Sequence, residues 1–399
     1  MPHLSRRHWL AATAPLLSLP FMPLALADTA WAAIENRAKG QIVYFNAWGG
    51  SQPINAYIQW AAAQVQQRFG VRVEHVKADA ADVVKRVRNE KAAGKAQGTV
   101  DLMWINGENF LTMKREGLLF GPFAEQLPHF ALVDTQGKPT TRMDFAEPTE
   151  GLEAPWGMAQ LTFLADRQRT PTPPRSLAAL QAFAKAHPGR VTYPRPPNFH
   201  GTTFVKQVLM DVTPERSALY RPVNDAAFAK ASAPLWAALD ALHPHLWRAG
   251  KQFALSAEAQ RQMFADGELL LALTFNPNDA ANEIAAGRLP TSVTSYQFDS
   301  GTIANTHFVA IPVNASAKEG AQVLANFLLG PEAQARKADI AVWGDPTVLA
   351  VDKLPQAERA RFAERPLPGQ VGQPAPAIPE PHGSWVEPLQ REWARRYGN

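Results

Sequence analysis

From Gln41 onward, short apolar runs alternate with longer amphipathic ones, separated by turns of small or polar residues. Gln41 to Asn46 (QIVYFN) predicts a strand and Trp48-Gly49-Gly50-Ser51 a turn. Pro53 to Phe69 predicts a helix with proline in its first turn, where a missing N–H removes no helical bond. Val71 to Val76 alternates as a second strand, and Ala78 to Ala96 repeats its apolar positions at helical spacing. Val100 to Asn106 predicts a third strand, followed by a helix from about Glu108 to Glu116. Strands alternating with helices of this length predict a parallel sheet covered on both faces.

A second unit of the same kind is predicted after Trp156. Pro155 to Ala165 reads as one long strand leaving the first lobe, Ser176 to His187 as a helix, and Arg190 to Tyr193 as a further strand. The loop Pro194 to His200 leads to a helix opened by Gly201-Thr202-Thr203. Leu269 to Phe275 and His307 to Pro312 read as strands, with the turn Asn276-Pro277-Asn278-Asp279 after the first. Ser316 to Leu329 reads as a helix returning the chain to the first lobe. Pro and Gly then crowd Pro366 to Pro381, an extended segment wrapping a surface before a last helix near Val386 to Arg396.

A chain of 399 residues, 46% hydrophobic, exceeds the comfortable size of one core, so two lobes are expected. The division is residues 1–27 as an export signal, 28–155 as the first part of lobe 1, 156–312 as lobe 2, and 313–399 as the return to lobe 1 with a wrapping tail. The signal rests on basic His3, Arg6 and Arg7, the apolar run Trp9 to Leu26, and the small-residue site Ala25-Leu26-Ala27 before Asp28. It places the mature protein in the periplasm. Ser5-Arg6-Arg7-His8-Trp9-Leu10 fits both a twin-arginine signal and an ordinary Sec one. Pro15, Pro20 and Pro23 argue against an uncleaved transmembrane anchor.

Composition removes several functions. The net charge is +4, and 38 basic against 36 acidic residues remain once Arg6 and Arg7 leave with the signal. No Lys/Arg run of five appears, so nucleic acid is not an expected partner. The absence of cysteine excludes disulfides, thiolate metal sites and cysteine nucleophiles. G-x-S-x-G, H-E-x-x-H and P-loop patterns are absent, and no enzyme activity or cofactor is expected. Glycosidase carboxylates carry no local signature, so a secreted hydrolase remains the alternative, with a solute sensor for a signalling receptor beside it.

Several strings resemble the periplasmic solute-binding proteins of ABC transporters, and within them the YnjB-type group related to thiamine, iron and polyamine binders. They are Tyr44 to Gly50, Asp101 to Asn109, Ala154-Pro155-Trp156-Gly157 and Trp343-Gly344-Asp345-Pro346-Thr347. The resemblance implies an α/β, type II periplasmic-binding-protein fold with two doubly wound lobes joined by a crossover hinge. It further implies a monomer that holds a small solute in the interlobe cleft and delivers it to the permease subunits of an importer.

In doubly wound sheets ligands sit beyond the carboxyl ends of strands, near unpaired helix N–H groups. That geometry makes candidates of Trp48, Gly49, Gly50 and Ser51 after the first strand, and of Asn106, Glu108 and Asn109 after the third. Asn198, His200, Thr202 and Thr203 form the counterpart in lobe 2, with Asn276, Asn278 and Asp279 after its buried strand. Turn and capping chemistry uses the same residue types. Trp48, Trp104, Trp156 and Trp343 fall at strand ends or crossovers, where indoles can stack on a solute or face a cation, although Trp104 fits core packing equally. Glu108 and Asp279 could pair with a cation, whereas helix N-termini favour an anion, so the sign of the ligand's charge stays open. Only six tyrosines occur and no two are adjacent, which disfavours the ferric site of related binders. His243-Pro244-His245 is expected to be solvated, and no metal is expected.

Overall fold

The computed structural model describes residues 24–362, 367–372 and 374–398. The expected export signal lies almost wholly outside them, and helix α1 (Leu24–Ala38) runs across its processing point.

The first lobe opens with β1 (Ile42–Ala47), α2 (Gln52–Phe69), β2 (Arg72–Lys77), α3 (Ala80–Ala92), β3 (Leu102–Ile105) and α4 (Glu108–Arg115). β1 pairs in parallel with β2 on one side and β3 on the other, as the alternating pattern requires. Helix α2 ends where Gly70 takes the left-handed conformation (φ 68°) and its N–H bonds Gln66. A short hairpin, β4 (Met143–Asp144) and β5 (Glu147–Pro148), follows, with Phe145 and Ala146 at its tip.

Two antiparallel strands then carry the chain between lobes. β6 (Glu153–Gln160) begins beside the lobe 1 core and continues, after Leu161, as β7 (Thr162–Asp166) in lobe 2. The expected single strand Pro155 to Ala165 is therefore two. β10 (Thr302–Ala310) runs back alongside β6, with Ile303 in the lobe 2 core and Val309 in that of lobe 1. Its first part pairs with β11 (Ala377–Pro379) and its last with β3, so β10 belongs to both lobes.

Between these passages lie α5 (Leu177–Ala186), α6 (Phe199–Val212), α7 (Asp225–Leu242), α8 (Ala257–Ala265), β8 (Leu271–Thr274), α9 (Asp279–Ala285) and β9 (Val293–Tyr296). β7 lies between β8 and β9 and is antiparallel to both, so the lobe 2 sheet does not repeat the parallel order of lobe 1. Arg190 to Tyr193 does not form the expected strand. Its carbonyls serve separate segments, with Leu270 N donating to Arg190 O and Trp247 N to Val191 O, both 2.8 Å. Pro194, Pro196 and Pro197 supply no N–H for a ladder.

After β10, α10 (Lys318–Leu329) and α11 (Pro331–Ala338) pack on the lobe 1 core, followed by the short α12 (Gln356–Arg359). The tail then leaves lobe 1. Ser295 N donates to Gly369 O, and Ala375 N to Gln297 Oε1, both 2.9 Å, which lays the tail along lobe 2. The last helix, α13 (Val386–Tyr397), buries Leu389 and Trp393, with Trp385 just before it, in the lobe 2 core. Its apolar positions 386, 389, 393 and 397 share one helical face. The final segment is thus divided, with α10–α11 on lobe 1 and the tail and α13 on lobe 2.

Among the described residues no helix is long and apolar enough to cross a membrane.

Candidate functional site

The lobes meet on two sides of the β6–β10 hinge. On one side, Asn276 Nδ2 donates to Trp343 O (3.0 Å) and Asn278 Nδ2 to Gly344 O (2.6 Å). Asn282 Nδ2 donates to Ile340 O beside them. A Cβ on Gly344, whose φ is 77°, would collide with Asn278, so glycine permits both this turn and the close approach.

On the other side, the Phe145 tip reaches from lobe 1 into lobe 2. Gly383 N donates to Phe145 O (3.1 Å), and His382 Nε2 lies 3.4 Å from Glu147 Oε2. The Phe145 ring covers the Lys206 ammonium at 4.2 Å, a cation–π distance. Phe145 and Ala146 both have positive φ, 43° and 61°, the hairpin-tip conformation that non-glycine residues adopt at a cost.

Buried acids surround that lysine. Lys206 Nζ pairs with Glu380 Oε2 at 2.7 Å, and Asn305 Nδ2 donates to Glu380 Oε1 at 3.1 Å. Asp144 Oδ2 accepts from Gly107 N at 2.6 Å, fixing the hairpin to the start of α4. Burial raises the Glu108, Asp144 and Glu380 carboxyls above their ordinary range, against the opposing pull of Lys206. Burial raises Glu153 as well, and neighbouring Asp144 adds to it.

A third cluster fills the lobe 1 side of the hinge. Trp104 packs edge-on against Trp156 at 5.0 Å between ring centroids, and Trp343 lies 5.5 Å from Trp156. Lys337 Nζ stands over the Trp156 and Trp343 rings at 5.2 and 5.4 Å, and it donates to Trp156 O. Asp345 Oδ2 accepts from Lys337 Nζ at 2.6 Å and lies 3.0 Å from His307 Nε2. Burial drives the Asp345 carboxyl up, but His307 and Lys337 outweigh it and hold it below its usual value. Gly157 has no room for a side chain, because a Cβ would collide with Asp345, His307 and Lys337.

The residues singled out from the sequence divide accordingly. Trp48 is half-buried on the lobe 1 core and folds over Gly50, whose Cβ would meet the indole; Gly49 lies against Lys77. Ser51 stands at the N-cap of α2 without a side-chain cap bond. Asn106 is half-buried and makes no side-chain hydrogen bond among the described residues, while Glu108 and Asn109 open α4. Trp156 and Trp343 are buried within the tryptophan cluster, and the cation they face is the chain's own Lys337.

In lobe 2, Asn198 caps α6 by accepting from His200 N at 3.0 Å. Burial lowers His200 to a pKa of about 4, so its imidazole is neutral near pH 7. Thr202 accepts from Gln390 and Thr203 donates to Phe199 O. Asn276 and Asn278 bridge the lobes, whereas Asp279 is bound by Arg261 Nη1 at 3.0 Å. His243 is buried rather than solvated, 2.8 Å from the Tyr193 hydroxyl, and burial lowers it to about 4. Among the described residues no group of acids and histidines could hold a metal ion.

Sequence reasoning missed Asp144, Phe145, Lys206, Asn305, His307, Lys337 and Glu380. Lys206 and Lys337 sit inside helices with no local sign of burial, and Glu380 comes from the proline-rich tail.

Comparison with known proteins matches residues 60–358 to the bacterial extracellular solute-binding proteins. The chain is 50% identical over 385 residues to protein YnjB of Escherichia coli K12, covering 96% of this chain and 97% of that protein. The periplasmic binding protein AfuA of Actinobacillus pleuropneumoniae, solved with fructose-6-phosphate, superposes with TM-score 0.64 at 14% identity, over 90% of this chain and 99% of that one. PotD of Streptococcus pneumoniae, a spermidine/putrescine ABC transporter substrate-binding protein, gives TM-score 0.59 at 13% identity, over 90% and 100%. These superpositions show that the chain shares the fold of those structures, and the chain belongs to the bacterial extracellular solute-binding proteins.

Proposed function

We propose that this protein captures a small solute between its lobes in the periplasm and delivers it to the permease of an ABC importer. The observation that carries this reading is the paired crossover β6–β10, on which two separate cores are mounted with polar side chains from both facing one another. A solute that touches both lobes stabilises the closed arrangement by its differential affinity, and closure is what a membrane partner can sense. Micromolar capture requires about 8 kcal/mol, within reach of a few charge-assisted hydrogen bonds and aromatic contacts. Trp48, Asn106, Glu108 and His200 are among the sequence-derived candidates that stay half-buried and so retain access to such a solute. The match of residues 60–358 to an extracellular solute-binding family supports the periplasmic location, and an export signal at residues 1–27 accounts for it.

Isothermal titration against amines, sugar phosphates, amino acids and neutral sugars tests the proposal. Saturable binding without chemical change is expected, and Trp48→Ala weakens it by roughly tenfold, about 1.4 kcal/mol. Turnover of any solute in the panel, or binding by none of them, refutes it.

A further inference from the structure

The interlobe acids pose a donor problem. Glu108, Asp144 and Glu380 share the ammonium of Lys206, which Glu380 already holds at 2.7 Å, while the cation that acts on neighbouring Glu153 is Lys114. Among the described residues, Asp144 Oδ1 and both carboxyl oxygens of Glu153 are buried without a hydrogen-bond partner. Asn305 supplies an independent sign: it is only 4% exposed and spends its Nδ2 on Glu380, which leaves its Oδ1 buried and, among the described residues, unpartnered. An acid cluster alone could be relieved by protons, but a carboxamide oxygen takes none at neutral pH and requires a donor. Buried acceptors without donors are costly, so the arrangement is complete only with a donor-rich group present.

The surfaces around the cluster also suit a cation. The Phe145 ring already faces the Lys206 ammonium at 4.2 Å and that of Phe199 at 5.8 Å, presenting the negative faces of two aromatic rings. The groups come from both lobes: Glu108, Asp144 and Phe145 from lobe 1, and Lys206, Phe199 and Glu380 from lobe 2 and its tail. A charge held here therefore bridges the cleft.

We propose that this cluster receives a protonated amine of the solute, held between Glu108 and Asp144 on lobe 1, Asn305 on the hinge strand β10 and Glu380 on the tail that lies along lobe 2. The proposal rests on the cleft-binding reading above and adds the sign of the ligand's charge, which the fold does not choose. Lys206 orients Glu380 and occupies part of the same field, so it opposes a cationic ligand and would attract an anionic one.

The test is isothermal titration of the full protein with 1,4-diaminobutane, spermidine and thiamine, with glutarate and glucose 6-phosphate, and with glucose. One of the amines is expected to bind saturably. Its affinity should fall by at least about tenfold in Glu108→Gln, and it should hold or rise in Lys206→Met. Thermal melts of both unliganded variants identify a loss caused by misfolding; if Glu108→Gln does not fold, the rise or fall in Lys206→Met alone decides. Binding of an anion that is lost in Lys206→Met, or of glucose, overturns the amine assignment while leaving the cleft-binding reading intact. Binding by no solute in the panel overturns both.

Discussion

Replacing Asp345 by Asn should destabilise the unliganded protein by about 3–5 kcal/mol, the cost of breaking a buried ion pair on one side. Lys337 has no exposed side-chain surface, and its ammonium has three surroundings: the Asp345 carboxylate at 2.6 Å, the Trp156 carbonyl and two indole faces. The substitution keeps shape and removes charge, leaving the ammonium with a neutral amide, a carbonyl and the ring faces. The loss has a ceiling, because burial already lowers the Lys337 pKa and the lysine can discard its proton instead. Adding Lys337→Met to Asp345→Asn removes the stranded charge, so the double variant should be more stable than Asp345→Asn alone, with a coupling of roughly 0.5–3 kcal/mol. Urea unfolding followed by tryptophan fluorescence is the assay, since Trp104, Trp156 and Trp343 surround the pair. A cost under about 1 kcal/mol, the scale of an exposed ion pair, would refute the reasoning. A double variant weaker than the single would do so too.

Ala146→Gly should raise stability by about 1 kcal/mol in a thermal melt, because glycine takes the observed φ of 61° without the penalty an alanine bears; a drop would show that the methyl group is needed at the tip. Asn278→Ala removes a 2.6 Å bond between lobes and should favour opening by about 0.5–1.5 kcal/mol, read as a larger radius of gyration by small-angle scattering of the unliganded protein. An unchanged radius would mean that this contact does not hold the lobes together. His243, neutral when folded down to about pH 4, titrates near 6.5 when unfolded, so the unfolded chain binds the extra proton and stability falls as pH drops from about 6.5 to 4. The full effect is on the order of 3 kcal/mol. Glu108, Asp144 and Glu380 act with the opposite sign, since raised carboxyls stabilise the fold at low pH and lose that contribution as pH rises through their folded values. The diagnostic quantity is therefore the difference between wild type and His243→Gln across this range, which should shrink towards pH 4; a constant difference would exclude the histidine as its source.

Local pattern was enough to predict most of lobe 1. The β1–α2–β2–α3–β3–α4 order follows from a switch between extended and helical apolar spacing, a property of neighbouring residues. The same reasoning found Asn276 and Asn278 at a strand end, where turns face the opposite lobe. It failed where partners are distant in sequence. Arg190 to Tyr193 has strand-like residues, but its carbonyls bond three separated segments. Trp156 and Trp343 have the chemistry of a cation cage, yet whether a ligand or Lys337 occupies it depends on where α11 docks.

The antiparallel order of β8, β7 and β9 and the placement of α13 on lobe 2 are likewise decisions of packing, because an apolar helix face can be satisfied by either core. The sequence by itself determined two α/β lobes and a family, since alternation and local strings are short-range. Tertiary structure alone brought Glu108, Asp144, Lys206 and Glu380 together, because their charges interact through space after the hinge strands and the tail have folded.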